Sequence, residues 1–189
     1  MSEYNDIIKE TAEILHKGGV ILYPTDTIWG LGCDATNSMA VNRIYEIKRR
    51  TDKKSMLVLL DTESRLPYYV SQVPEIAYHL NEASDKPLTL IYPGARNLAD
   101  ELIADDGSAG IRIVDDEFCS ALIARLKKPL VSTSANISGE KPPGNYKEIS
   151  EEIKDSVDYI VPLRQHETGK RTASSIIKIG TGGQFKIIR

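Results

Sequence analysis

The chain has 189 residues, 41% apolar and 27% charged, the proportions of an ordinary globular protein with enough material for one substantial domain. Its 24 Lys and Arg against 27 Asp and Glu leave a net charge of −3, which excludes a whole-chain polycation but leaves room for a local basic hollow. No apolar run reaches membrane-spanning length, no secretory apolar region opens the chain, and Cys33 and Cys119 lie in unlike contexts; the expectation is a cytoplasmic protein with reduced thiols and no membrane partner.

Helix and strand signals alternate along the chain. Asn5 to Lys17 carries Ile7, Ile8, Thr11, Ile14 and Leu15 at helical spacing, and Gly18-Gly19 stops it. Val20 to Tyr23 reads as a buried strand. Ser38 is the expected N-cap of a second helix, whose face carries Val41, Ile44, Tyr45 and Ile47. Met56 to Leu60 is an apolar strand, Pro74 to Asn81 a short helix, and Leu88 to Tyr92 and Ile111 to Val114 further strands. Asp115 and Asp116 open a helix with Phe118, Leu122, Ile123 and Leu126 apolar, acids at a helix start being favoured by its dipole. Leu130-Val131 is a strand that runs into a hydroxyl-rich loop. Lys141-Pro-Pro-Gly144 breaks the chain before a helix over Tyr146 to Ile153. Val157 to Val161, Ser175 to Ile179 and Phe185 to Ile188 close the series, the last two as a hairpin about Thr181-Gly-Gly183. The pattern predicts an α/β fold: one domain over residues 1–189, a twisted mixed sheet with flanking helices.

Two stretches carry polar groups at strand ends, and two more place basic residues after a helix and within a strand. Ser132-Thr-Ser-Ala-Asn-Ile-Ser-Gly139 offers hydroxyls, an amide and backbone N–H groups where open α/β sheets bind ligands, although Ser, Asn and Gly also make plain turns. Tyr23-Pro-Thr-Asp-Thr-Ile-Trp-Gly-Leu-Gly32 follows the first strand, with Gly30 and Gly32 permitting positive φ or close backbone approach. Its Gly30-Leu-Gly-Cys-Asp-Ala35 matches a dinucleotide fingerprint in letters only, since the strand does not feed into the first glycine. Lys48-Arg-Arg50 and Lys53-Lys54 form either a helix-end cation cluster or an anion clamp. Arg112, inside an apolar strand, must sit on an edge or face an anion, because an unpartnered buried arginine is too costly. His16, His79 and His166 are scattered, so no metal-ligand cluster is expected, and neither a G-x-S-x-G elbow nor a true P-loop is present.

Taken in order, these stretches, together with Lys86-Pro-Leu-Thr89, Gly110-Ile-Arg112, Ser174-Ser175 and Arg189, make the sequence similar to the YrdC/YciO-like family of threonylcarbamoyl-AMP synthases from about Gly18 to Arg189. The resemblance implies a twisted α/β sheet with a concave basic cleft. It also implies a reaction in which L-threonine, bicarbonate or CO2, and ATP give threonylcarbamoyl-AMP and pyrophosphate. Separate tRNA threonylcarbamoyl-transferase proteins would use that product. Carried over by position, Lys48 and Arg50 are the catalytic cations. Thr27, Arg112, Ser132 and Ser174 bind substrate, and Arg50, Lys54, Ser134, Asn136 and Arg189 bind ATP. Mg2+ is expected to ride on the triphosphate rather than on a protein site.

The sequence departs from the family pattern at several places. Ser55, Val114 and Ala173 stand where Pro is common, Leu59 where many members have His, Trp29 where Tyr is usual, and Asp85-Lys86 where Pro-Gly is typical. Ser55 and Leu59 keep open a paralogue that hydrolyses threonylcarbamoyl-AMP or takes another amino acid, and the expected basic concavity keeps open a binding module that holds tRNA or double-stranded RNA through shape and phosphate contacts. By composition, Lys141 to Tyr146 and Arg164 to Arg171 are the candidate lid segments.

Overall fold

The computed structural model describes residues 2–50, 56–169 and 171–189. Helix α1, Ser2–His16, starts earlier than its apolar pattern and buries Ile8, Thr11, Ala12 and Leu15. Gly18 ends it with φ of 81°, its N–H reaching Leu15 O at 2.9 Å while Gly19 N–H reaches Ile14 O at 2.9 Å. Left-handed glycine just past a helix lets the last carbonyls find partners.

Strand β1, Ile21–Tyr23, leads to β2, Gly30–Gly32, a strand absent from the sequence reading. Helix α2, Ser38–Ile47, is capped by Asn37 rather than Ser38: the Asn37 side chain accepts Ala40 N–H at 3.1 Å. After β3 (Leu57–Leu60) come the short helix α3 (Leu66–Tyr69), α4 (Glu75–Glu82), β4 (Leu88–Tyr92) and β5 (Ala109–Ile113). Helix α5, Glu117–Leu126, is capped by Asp116, which accepts Cys119 N–H at 2.9 Å.

Strand β6, Leu130–Ser134, runs further than its two apolar residues, so Ser132 to Ser134 are strand and only Ala135 onward is loop. The helix expected over Tyr146 to Ile153 is two pieces, a 3-10 turn Tyr146–Glu148 and helix α6, Glu151–Ser156, which starts afresh on the Ser150 hydroxyl. Then follow β7 (Tyr159–Ile160), β8 (Ser175–Ile179) and β9 (Phe185–Ile187), the last two forming the expected hairpin.

Among the described residues nine strands form one sheet in the order β7-β1-β2-β6-β3-β5-β4-β8-β9. The pairs β1–β7, β3–β5 and β4–β8 are parallel and the other five antiparallel, so the sheet is mixed. Strand alternation divides the side chains between two faces. Leu22, Val131, Val58, Leu60, Ile111 and Leu90 enter a large core closed by α2, α3, α4 and α6. Ile21, Tyr23, Leu59 and Leu130 take the other face and meet α1 and α5. That second cover is partial. On the same face, beyond α1 and α5, Leu57, Gly110, Arg112, Ile91 and Ile176 floor a cavity. Position therefore follows from packing: two helices shield half of one sheet face, and the polar stretches collect on the remaining half.

Candidate functional site

The cavity measures about 880 Å3 and is lined by residues from far-separated parts of the chain. Thr27, Lys48, Arg50, Arg112, Ser132, Ser134, Asn136, Ser174 and Arg189 all contribute to its wall. These are all the expected site residues except Lys54, which lies outside the described residues.

Lys48 caps α2 and is buried, and its Nζ donates to the carbonyls of Ser134, at 2.5 Å, and Asn136, at 2.7 Å. It thus ties α2 to the loop after β6. Burial, reinforced by Arg50, lowers its pKa to about 8. Desolvation disfavours the charged amine, and a second cation adds to that. Asn136 hands both amide hydrogens to the loop, to Ile137 O at 2.8 Å and Glu140 O at 2.9 Å, while its buried Oδ1 has no hydrogen-bond partner among the described residues.

Arg112 is neither on an edge nor unpartnered. It stands on β5, central in the sheet and 1% exposed, with Nη2 at 3.1 Å from Asp26 Oδ1 and Nη1 donating to Thr27 Oγ1 at 3.1 Å. Its Nε has no hydrogen-bond partner among the described residues. Burial raises the Asp26 pKa, and the Arg112 charge works against that rise. Asp26 is the partner that inspection of Arg112's strand could not name.

Thr27 is itself held by Thr25. Thr27 N–H donates to Thr25 Oγ1 at 2.9 Å, the two hydroxyls lie 3.0 Å apart, and Thr25 Oγ1 donates to Ile28 O at 2.9 Å. On the opposite wall, the Ser174 and Thr89 hydroxyls meet at 2.8 Å. Arg189 donates from Nε and Nη2 to Ser174 O at 3.1 and 2.9 Å.

Among the described lining residues, the sequence reading missed four polar ones: Asp105, Asp106, Ser108 and Lys178. Lys178 follows Ile176 by two on β8, so a polar residue in a strand was the available signal. Its ammonium and Ser108 hold the Asp106 carboxyl at a pKa of about 2. Leu59 is fully buried under α5, in register with Arg112, and does not line the cavity. Of the candidate lids, Lys141 to Tyr146 borders the cavity through Pro142, and the Tyr146 ring sits 5.0 Å from that of Trp29. None of the described residues from Arg164 to Arg171 lines the cavity.

Chemically, the described lining residues include five cations (Lys48, Arg50, Arg112, Lys178 and Arg189) and two carboxylates (Asp105 and Asp106), together with hydroxyl and amide groups. Such a wall suits small anionic molecules with polar substituents. Fold and cavity together define an α/β protein with a polar, cation-rich cavity on the partly covered face of a mixed sheet.

The chain belongs to the Sua5/YciO/YrdC family, whose model, described as telomere recombination, matches residues 13–189. The crystal structure of P. abyssi Sua5 complexed with L-threonine superposes with a TM-score of 0.84 at 25% identity, over 96% of this chain and 53% of that one. The chain thus spans about half the length of Sua5. E. coli YciO gives a TM-score of 0.83 at 25% identity, over 97% of this chain and 88% of that one. The solution structure of MTH1692 from Methanobacterium thermoautotrophicum gives 0.67 at 29% identity, over 92% and 81%.

Proposed function

We propose that this protein is an L-threonylcarbamoyladenylate synthase, a nucleotidyltransferase serving tRNA modification in the cytoplasm. The observation that supports the reading is the convergence on one cavity of nine residues that the family resemblance singled out from distant parts of the chain. A relative solved with L-threonine supports the amino-acid half.

In this mechanism the threonine amine attacks CO2, loses a proton and becomes a carbamate. A carbamate oxygen then attacks the α-phosphorus of ATP, the bond from that phosphorus to the bridging oxygen breaks, and pyrophosphate leaves. Both reactants of the second step are anions. Arg50, Arg189 and the charged form of Lys48 offset their repulsion and stabilise charge on the phosphoryl oxygens. Thr27, Arg112, Ser132 and Ser174 orient threonine, and Arg50, Lys54, Ser134, Asn136 and Arg189 hold the nucleotide. Holding both substrates in one cavity adds the proximity term. Mg2+ enters as part of the nucleotide substrate, with phosphate oxygens and water as ligands. Among the described residues no three His, Cys, Asp or Glu side chains gather to hold a metal ion of their own.

The test is release of pyrophosphate from ATP by the purified protein. Release that requires both threonine and bicarbonate, and that is lost in Arg50→Ala with the fold intact, supports the assignment. Release that is indifferent to threonine rejects it. The alternative kept open by the sequence, hydrolysis of threonylcarbamoyl-AMP, gains no support from Leu59, which is buried under α5 away from the cavity. Supplying that intermediate and following AMP separates the two.

A further inference from the structure

Two arginines converge on one backbone oxygen outside the cavity. Arg164 Nη1 and Arg171 Nη1 each donate to Thr25 O at 3.3 Å. Each is steadied by an acid, Arg164 by Asp116 at 2.6 Å and Arg171 by Glu167 at 2.9 Å. Arg164 holds its place with φ of 56°, a left-handed conformation that is uncommon for a non-glycine residue and persists when surrounding bonds fix it.

The hollow beside these arginines is about 10 Å3. That is at most one water, so the pair has no room for an organic ligand. What the arginines touch instead is the support of the site. Thr25 O is gripped by both, Thr25 Oγ1 holds Thr27, and Thr27 Oγ1 accepts from Arg112. Three residues after Arg171 comes Ser174, on the opposite cavity wall. One stretch of chain therefore braces the Thr27 wall with its side chains and supplies the facing wall with its end.

We infer that Arg171, assisted by Arg164, is a positioning residue for the threonine end of the cavity. It fixes the 24–29 loop so that Thr27 and Arg112 keep their relative orientation. The threonine part of this inference rests on the function proposed above; the bracing of the loop does not. The stretch from Arg164 to Arg171 then acts as a clamp on the loop rather than as a lid over the ligand.

The experiment uses Arg171→Ala and Arg171→Lys in the full chain. Arg164 is the poorer target, because it also secures Asp116 at the start of α5. The protein has a single tryptophan, Trp29, in the braced loop and 6% exposed. Acrylamide quenching of Trp29 should rise in Arg171→Ala and return toward wild type in Arg171→Lys. KM for threonine should rise roughly tenfold in Arg171→Ala, the loss of one charge-assisted hydrogen bond, with KM for ATP within about twofold. Unchanged Trp29 quenching overturns the clamp. So does an equal rise in both KM values, which marks general damage. A wild-type protein without threonine-dependent turnover rejects the proposed reaction, while the quenching comparison still decides the clamp.

Discussion

At Gly32 a single methyl group is too much. A Cβ there would stand 2.6 Å from Tyr23 Cε1 and 2.8 Å from Val131 O. The Tyr23 hydroxyl already donates to that same carbonyl at 2.9 Å, so the ring has no free direction in which to swing. Space, and not positive φ, is the reason for glycine here. Gly32→Ala should cost about 1–3 kcal/mol, read as a lower midpoint in urea without a change of slope. Lys48 supplies a second prediction at this scale. Its pKa of about 8 means that the ammonium is charged below that value and neutral above it. ATP affinity, measured by calorimetry, should therefore fall as pH rises through about 8, and Lys48→Met should lose that step. Residues also differ in how legible they were. Arg112 announced itself by breaking an apolar strand, and the rule that buried charges find partners was enough to expect one. Asp26 was hidden because it lies 86 positions away and nothing local ties the two together.

Elements whose residues carried strong periodicity were read correctly, and those set by neighbours were not. Helices α1 and α5 bury the faces that their spacing marked. Strand β2 is Gly-Leu-Gly, a poor strand by propensity, and exists because β1 and β6 pair with it on either side. Ser132 to Ser134 read as loop for the same reason, yet they pair with β2 and β3. The break at Ile149 arises because Ser150 offers its hydroxyl to Ile153 N–H, a capping preference that outcompetes a continuous helix. Capping makes α2 testable. Asn37→Ala removes the acceptor for Ala40 N–H and should cost about 1 kcal/mol; Ser38→Ala should cost much less, since Ser38 is not the cap. Thermal unfolding of the two variants compares them directly.

For the whole molecule, the near balance of charge conceals a division: among the described residues five cations line one cavity in a chain of net charge −3. Stability in acid follows from the carboxylates. Burial works against ionisation of Asp116, yet the Arg164 bond and the Cys119 N–H outweigh it and hold the carboxyl below its usual value; Asp158 is held low in the same way by Arg43 and Val20 N–H. A carboxyl depressed on folding contributes stability above its unfolded pKa, about 3.9, and loses it as pH falls through the folded value. Denaturation midpoints should decline below about pH 4, and Asp116→Asn should blunt that decline. The half-covered sheet has a different consequence. The part of the sheet face that α1 and α5 leave uncovered floors the cavity, so a ligand bound there would be held by the folded protein and not by the unfolded chain. Saturating ligand at a hundred times Kd contributes about 2.7 kcal/mol, or roughly 5–10 °C in Tm for a chain of this size. A melting curve thus becomes a ligand screen: threonine or ATP that binds in the cavity should raise Tm, and a molecule that does not bind should leave it unmoved.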